Sequence, residues 1–272
     1  MIPRSWLFCP GERTDRLAKA VAAADVAVAD LEDAVHADRK DAARAAVVAA
    51  LRADPAAASR TWVRINNDGV HTAADLDALS GVEFAGIVVP KASLKSVREV
   101  AAHSSVPLLA LVETAAGLWE AAEVAAHERV VTLSLGEYDL AVELGVARPD
   151  VDEEPLAWAR SRVVAAAAAT GCAPPPAPVA TTIEDADRYR ADTRRLGRFG
   201  FFGRMCIHPR QAAIVHEVLR PGEEEVRGAR EVVRAAEEAE RTGATVLVVG
   251  GRLVDPPVVH HARRILALAD CD

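Results

Sequence analysis

WLFCPGERTDRLAKAVAAADVAVADL, residues 6–31, decides the fold. Two short runs in it, Trp6–Cys9 and Val26–Leu31, are apolar at nearly every position, and between them Leu17, Val21 and Ala24 recur at helical spacing. Near-continuous apolar runs belong to parallel strands covered on both faces, and the spacing between them makes the connection a helix. The first run is followed by PGERTDR, not by the G-x-G-x-x-G of a dinucleotide fold, and no G-x-x-x-x-G-K-[ST] occurs anywhere.

The same unit repeats outward. Further runs are Thr61–Ile65, Gly86–Val89, Leu108–Val112, Val130–Leu135, Pro178–Thr182 and Met205–Ile207, with helical segments between them such as Leu156, Ala159 and Val163. Eight strand candidates alternating with helices are the count of a (β/α)8 TIM barrel. The 272 residues suffice, since such barrels take roughly 250. An open doubly wound sheet is the alternative and normally has fewer strands. The seventh run is the weakest, because PPPAPVATT is loaded with prolines, which sheets tolerate only before a strand or at an edge. After the eighth run comes surplus chain: a helix over Glu223–Arg241, a hairpin through TVLVVGGRLVDPP and a last helix from Val258. The expected α/β architecture is therefore a barrel over residues 1–220 with a helical and hairpin extension over 221–272, covering the barrel or reaching a neighbouring subunit.

Composition narrows the function. Forty acidic against 32 basic side chains give a net charge of −8, with 51% hydrophobic and 26% charged residues. Those are ordinary values for a soluble globular protein. An acidic chain with only 4% aromatic residues is a poor partner for DNA or RNA. No segment supplies the about 18 uninterrupted apolar residues of a membrane span. The opening MIPRSWLFCPGER has too short an apolar run for a secretion signal, so a cytoplasmic protein is expected. Cys9, Cys172, Cys206 and Cys271 are far apart and form no C-x-x-C pair, which argues against a disulfide scaffold or structural zinc. Cys9 and Cys206 lie in strand runs and read as buried, inert thiols.

Catalytic groups of a barrel collect at the C-terminal strand ends. Those ends carry Glu32 and Asp33, Arg64 and Asn66, Lys91, Glu113, Asp139 and His208. Taken singly, each could begin a solvated loop, and His208 reads as a hydrogen-bonded structural residue. Taken together, charges abutting so many buried strands are expensive as structure alone. On one rim they make a site for a cation and an anionic substrate. Glu113 and Asp139 suit a hard ion such as Mg²⁺, which keeps waters and substrate oxygens in its shell. His260 and His261 are adjacent and lack zinc spacing. Arg64 offers a planar fork for a carboxylate, so a 2-oxo acid on the ion could be clamped from the other side.

RSWLFCPGERTDRLAKA, VADLEDAVHADRK, WVRIN, VVPK, LVETAAGL, LGEYDL, GRMCIHPRQ and RLVDPPVVHHA follow one another from Arg4 to Ala262. In that order and spacing they resemble citrate lyase β-subunit-like proteins of the HpcH/HpaI aldolase and citrate lyase superfamily, and among them stand-alone CoA-ester lyases. The resemblance implies a Mg²⁺-dependent barrel (Mn²⁺ being the alternative ion) that assembles as a homotrimer or hexamer. It implies a carbon–carbon lyase joining or splitting an acyl-CoA and a short 2-oxo acid. The family's metal ligands fall on Glu113 and Asp139 and its substrate arginine on Arg64. Glu32 and Asp33 match acids that hold metal-bound waters, and Gly136 of LGEYDL joins the substrate-contacting positions.

Asp255 matches an acid/base residue inserted into a neighbour's active site; by sequence alone it is equally a helix cap before prolines. Arg13, Arg16, Lys19, Arg39 and Lys40 are candidates for the CoA phosphates, or simply solvated helix faces. Ser93 stands where relatives often have an acid and Arg204 where a lysine is common. The region around APVATTIEDADRYR is shorter than in many members, with Asp185 the best match to a family acid. Two other functions stay open: a CoA-independent 2-oxo acid aldolase of the HpcH/HpaI branch, and a β-like subunit of a lyase complex.

Overall fold

The computed structural model describes residues 2–242 and 248–269. Its first compact unit runs from Ile2 to Val218. There, strand and helix alternate: β1 (Ser5–Pro10), α1 (Leu17–Ala23), β2 (Val26–Asp30), α2 (Lys40–Ala53), α3 (Pro55–Ala58), β3 (Thr61–Arg64), α4 (Thr72–Leu79), β4 (Gly86–Val89) and α5 (Leu94–His103). They continue with β5 (Leu108–Val112), α6 (Ala115–Ala125), β6 (Val130–Leu135), α7 (Glu137–Leu144), α8 (Ala157–Thr170), α9 (Ala186–Phe199), β7 (Arg204–Cys206) and α10 (Pro209–Leu219). The strands form one parallel sheet in the order β6-β5-β4-β3-β2-β1-β7, an α/β fold curved as a half-barrel.

Side chains of a strand alternate between faces, and here both faces are buried. Trp6, Val26, Val28, Trp62, Val88, Leu109, Leu111 and Met205 form one cluster, while the intervening Leu7, Ala27, Val63, Ile87 and Ala110 are buried on the helix side. Trp6 and Trp62 meet edge to face with centroids 5.2 Å apart. That packing dictates Gly86 on β4, where a Cβ would lie 2.6 Å from the Trp62 ring.

The expected strand Pro178–Thr182 is absent; a single parallel bridge, Ala177 to Arg204, stands in its neighbourhood. The reason is chemical. Pro174, Pro175 and Pro176 carry no N–H, so a regular ladder cannot form. Side chains substitute on the β6 side: Thr132 Oγ1 donates to Ala173 O at 3.0 Å and Ser134 Oγ to Pro176 O at 3.2 Å. On the β7 side, Phe202 N donates to Pro175 O, Ala177 N to Gly203 O and Met205 N to Ala177 O, each at 2.9 Å. The expected strand at Met205–Ile207 begins and ends one residue earlier, as β7.

The second unit, from Leu219 on, holds α11 (Glu223–Thr242), β8 (Val248–Val249), β9 (Arg252–Leu253) and α12 (Pro256–Ala269). Gly250 and Gly251, with φ of 56° and 77°, make the two-residue turn between the antiparallel β8 and β9. The first residues of the expected hairpin, Thr245 to Leu247, and also Cys271, lie outside the described residues. Cys9 and Cys206 are buried, and burial raises both thiols to about 11. No helix among the described residues is long and apolar enough to cross a membrane.

Candidate active site

Strand parity builds the site. On β2 the inward positions run Val26, Val28, Asp30, and on β3 they run Trp62, Arg64. On β5 the inward positions are Leu109 and Leu111, and two residues beyond Leu111, on the same parity, comes Glu113. A polar layer of Asp30, Arg64 and Glu113 therefore caps the apolar cluster at the C-terminal strand ends, and all three are buried. They line a cavity of about 410 Å³ together with Asp33, Gly136, Asp139, Phe8 and Met205.

Asp30 is the residue that sequence reasoning missed. It lies inside the apolar run Val26–Leu31, and its parity with Val26 and Val28 is the available signal. Its carboxylate takes a bidentate grip on Arg64, with Nε at 2.7 Å and Nη2 at 2.6 Å. It also accepts the Glu32 and Ala34 backbone N–H groups. The third guanidinium nitrogen, Nη1, lies 3.1 Å from Asp33 and 2.9 Å from Glu32 Oε2. That oxygen receives no aligned hydrogen bond. Burial alone would depress the Arg64 pKa, but the Asp30 hydrogen bonds and the charges of Asp30, Glu32 and Asp33 outweigh it and hold the cation firmly protonated. The guanidinium expected to clamp a substrate thus starts with acidic neighbours, of which Asp33 is the exposed one.

Glu113 sits among negative charge. Burial, then Glu32, raises its carboxyl to about 8; the Lys91 N–H opposes this and Asp139 adds to it. Lys91 N donates to Glu113 Oε1 at 2.7 Å, and Lys91 Nζ is paired with Glu32. Glu32 is itself raised by burial, against the pull of Arg64 and Lys91. Gly136 leaves room for the carboxylate: a Cβ there would lie 2.5 Å from both Glu113 Cβ and Oε2. Asp139 follows in the first turn of α7, whose leading Glu137 makes a buried bidentate pair with Arg160, with Nη2 at 2.8 Å. Among the described residues, no group of three or more His, Cys, Asp or Glu could enclose a metal. A pair of carboxylates, one raised by burial and then by its anionic neighbours, suits a hard divalent ion that completes its shell with water and substrate oxygens.

Of the basic candidates, Lys40 does something else. Its Nζ donates to Leu31 O at 2.9 Å, Glu32 O at 2.8 Å and Asn66 Oδ1 at 2.6 Å. All three ammonium protons are used in holding the loops after β2 and β3. Behind it, Asn66 donates to the fully buried Asp75, which also takes Arg44. Arg13 is exposed and paired with Asp15, and Lys19 is exposed on α1. His208 Nδ1 accepts from Arg210 N. Asp255 belongs to the second unit, where it caps α12: its Oδ1 accepts from Val258 N at 3.2 Å.

A half-barrel of parallel strands with acidic groups and one arginine at their C-terminal ends defines the class, an α/β enzyme scaffold with a rim site for an anion and a cation. The chain belongs to the HpcH/HpaI aldolase/citrate lyase family, whose pattern matches residues 4–209. It is 40% identical over 269 residues to the citrate lyase subunit beta-like protein of Mycobacterium tuberculosis, covering 97% of this chain and 94% of that one. It is 31% identical over 324 residues to L-malyl-CoA/beta-methylmalyl-CoA lyase of Cereibacter sphaeroides, covering 98% and 94%. The crystal structure of CitE from M. tuberculosis in complex with magnesium, acetoacetate and coenzyme A superposes with a TM-score of 0.84, at 37% identity and 98% coverage of both chains.

Proposed function

We propose that the protein is a Mg²⁺-dependent carbon–carbon lyase or synthase acting on a short-chain hydroxyacyl-CoA and a 2-oxo acid. The observation that carries it is the shared cavity of Glu113, Asp139 and Arg64 at the C-terminal strand ends, in a chain whose relatives are named for citrate and malyl-CoA cleavage. Glu113 and Asp139 would hold the ion, with Glu32 and Asp33 placed to hold waters beside it. When bound, the ion supplies Lewis-acid charge to oxygens that become anionic in the reaction. Arg64, fixed by Asp30, presents Nη1 to the 2-oxo acid carboxylate as Asp33 yields its place.

In the synthetic direction Asp255 of a neighbouring chain takes the α-proton of the acyl-CoA. The freed electron pair forms the bond to the keto carbon, and the resulting alkoxide takes a proton from water; cleavage runs the reverse. Arg13 and Lys19 steady the CoA phosphates. This reading closes the seven strands through the proline segment into an eight-position (β/α)8 barrel, supported by that segment's hydrogen bonds to both β6 and β7. Residues 221–272 serve as the arm that brings Asp255 to a neighbour, in a cytoplasmic homotrimer or hexamer.

Incubation with Mg²⁺ and a panel of hydroxyacyl-CoA esters, read by mass spectrometry, yields an acyl-CoA and a 2-oxo acid, and a chelator stops it. Turnover only of CoA-free 2-oxo acid aldols would replace this reading with the aldolase one. For the arm, mixing Asp255→Ala and Arg64→Ala proteins under subunit exchange restores partial activity, whereas action within one chain restores none.

A further inference from the structure

We propose that Lys91 is a positioning residue that couples the two halves of the site, its main chain fixing Glu113 and its ammonium keeping Glu32 from closing an aligned hydrogen bond on Arg64. The inference deepens the proposed function and rests on that assignment of Glu113 and Arg64.

Lys91 is the only non-glycine residue with positive φ among the described residues, at 46°. Left-handed backbone is unfavourable for a side chain bearing a Cβ and persists where the surroundings over-determine it. Here they do. Asn67 Nδ2, from the loop after β3, donates to Pro90 O at 2.8 Å, and Ala92 N donates to Leu111 O of β5 at 3.0 Å. Held from both neighbouring strands, the turn aims the Lys91 N–H at Glu113 Oε1, 2.7 Å away.

The side chain does a different job. Glu32 bridges two cations, with Oε1 on Lys91 Nζ and Oε2 2.9 Å from Arg64 Nη1. Nη1 is the corner of the guanidinium not gripped by Asp30. Oε2 already stands at that corner but receives no aligned hydrogen bond while Oε1 is held on the ammonium; without the ammonium Glu32 is free to turn and close that bond, where a substrate carboxylate has to bind. The main-chain contact to Glu113 survives any residue that accepts the left-handed turn. The two functions are therefore separable by substitution.

Lys91→Gly keeps the N–H and relaxes the backbone; Lys91→Ala keeps the N–H under the original strain; Lys91→Arg keeps the charge. The probes are Mg²⁺ alone and pyruvate at saturating Mg²⁺, both by calorimetry, with thermal unfolding alongside. Lys91→Gly is expected to hold Mg²⁺ at least as tightly as the wild type while its pyruvate Kd rises about tenfold, the scale of losing one charge-assisted contact. Lys91→Arg recovers most of the pyruvate affinity. Lys91→Gly unfolds a few degrees above Lys91→Ala, because only the glycine relieves the positive φ. Unchanged pyruvate affinity in Lys91→Gly overturns the proposal. So does a loss of Mg²⁺ affinity in step with pyruvate, which marks a general structural role, or Lys91→Arg binding no better than Lys91→Gly. The binding arms do not require turnover, so a wild type that binds both probes but cleaves no CoA ester refutes the proposed reaction and leaves this test standing.

Discussion

Gly136→Ala tests the cradle around Glu113 with a single methyl group. Gly136 has φ −91° and ψ 84°, a backbone open to residues other than glycine, so strain does not explain it. Space does. The added Cβ would lie 2.5 Å from Glu113 Cβ and Oε2, whereas carbon atoms pack at about 3.5–4.0 Å. Roughly 1 Å of movement is needed, and it falls on the carboxylate. If Glu113 held its place, overpacking would cost about 1–3 kcal/mol. At about 2–4 °C per kcal/mol for a domain of this size, the melting temperature would drop by roughly 2–12 °C. If Glu113 yields instead, its oxygens leave the position that a small ion with a tight octahedral shell demands. Mg²⁺ affinity then falls by about 10–100-fold, the range seen when the supports of a ligand are disturbed. Thermal unfolding and Mg²⁺ calorimetry on one sample separate the two outcomes. In a Glu113→Gly background the clash disappears, and the added alanine costs under about 1 kcal/mol, the loss of a glycine cap on α7. Wild-type melting together with wild-type Mg²⁺ affinity in Gly136→Ala would refute the reasoning.

The remaining expectations concern charge. Glu113, raised to about 8 from an ordinary 4.5, binds a proton in the folded metal-free protein that the unfolded chain has released. Its contribution to metal-free stability is therefore full below about pH 4.5 and is lost as pH rises from there through 8. Mg²⁺ displaces that proton, so its affinity rises with pH by up to about tenfold per unit between pH 6 and 8, with proton release measurable by calorimetry in buffers of different ionisation heat. Arg64→Lys should impair kcat/KM nearly as much as Arg64→Ala, since a point charge cannot reproduce the fork that Asp30 grips; a lysine enzyme with most of the wild-type value contradicts this. Arg160→Met leaves Glu137 buried without its bidentate partner. It should cost about 3–5 kcal/mol in chemical denaturation, most of it recovered when Glu137→Leu is added.

The first six strands were legible because each is a short apolar run buried on both faces, and their positions shift by no more than a residue at either end. The proline segment was not, because on the β6 side it is held by the side chains of Thr132 and Ser134, residues of a different strand. Glu113, Asp139 and Arg64 were found at strand ends and share one cavity. Asp30 escaped because it reads as part of the run Val26–Leu31 rather than as the first residue of a site. In sequence Lys40 is a candidate for the CoA phosphates or a solvated helix face; only the fold reveals three acceptors around its ammonium. Arg160, on an alanine-rich helix, gave no sign in sequence of its partner Glu137, 23 residues away. Pairings across elements of this kind leave no periodic trace.

In the proposed function, Glu113 and Asp139 together hold the Mg²⁺ on which the chemistry depends. Calorimetric titration of Mg²⁺ into wild type, Glu113→Gln and Asp139→Asn, each with saturating pyruvate, tests it most directly. One ion per chain is expected in the wild type, and affinity at least about 100-fold weaker in each variant, because removing either carboxylate takes away half of the protein's charge on an ion with few other protein ligands. Undiminished binding in either variant, at unchanged melting temperature, would contradict the account.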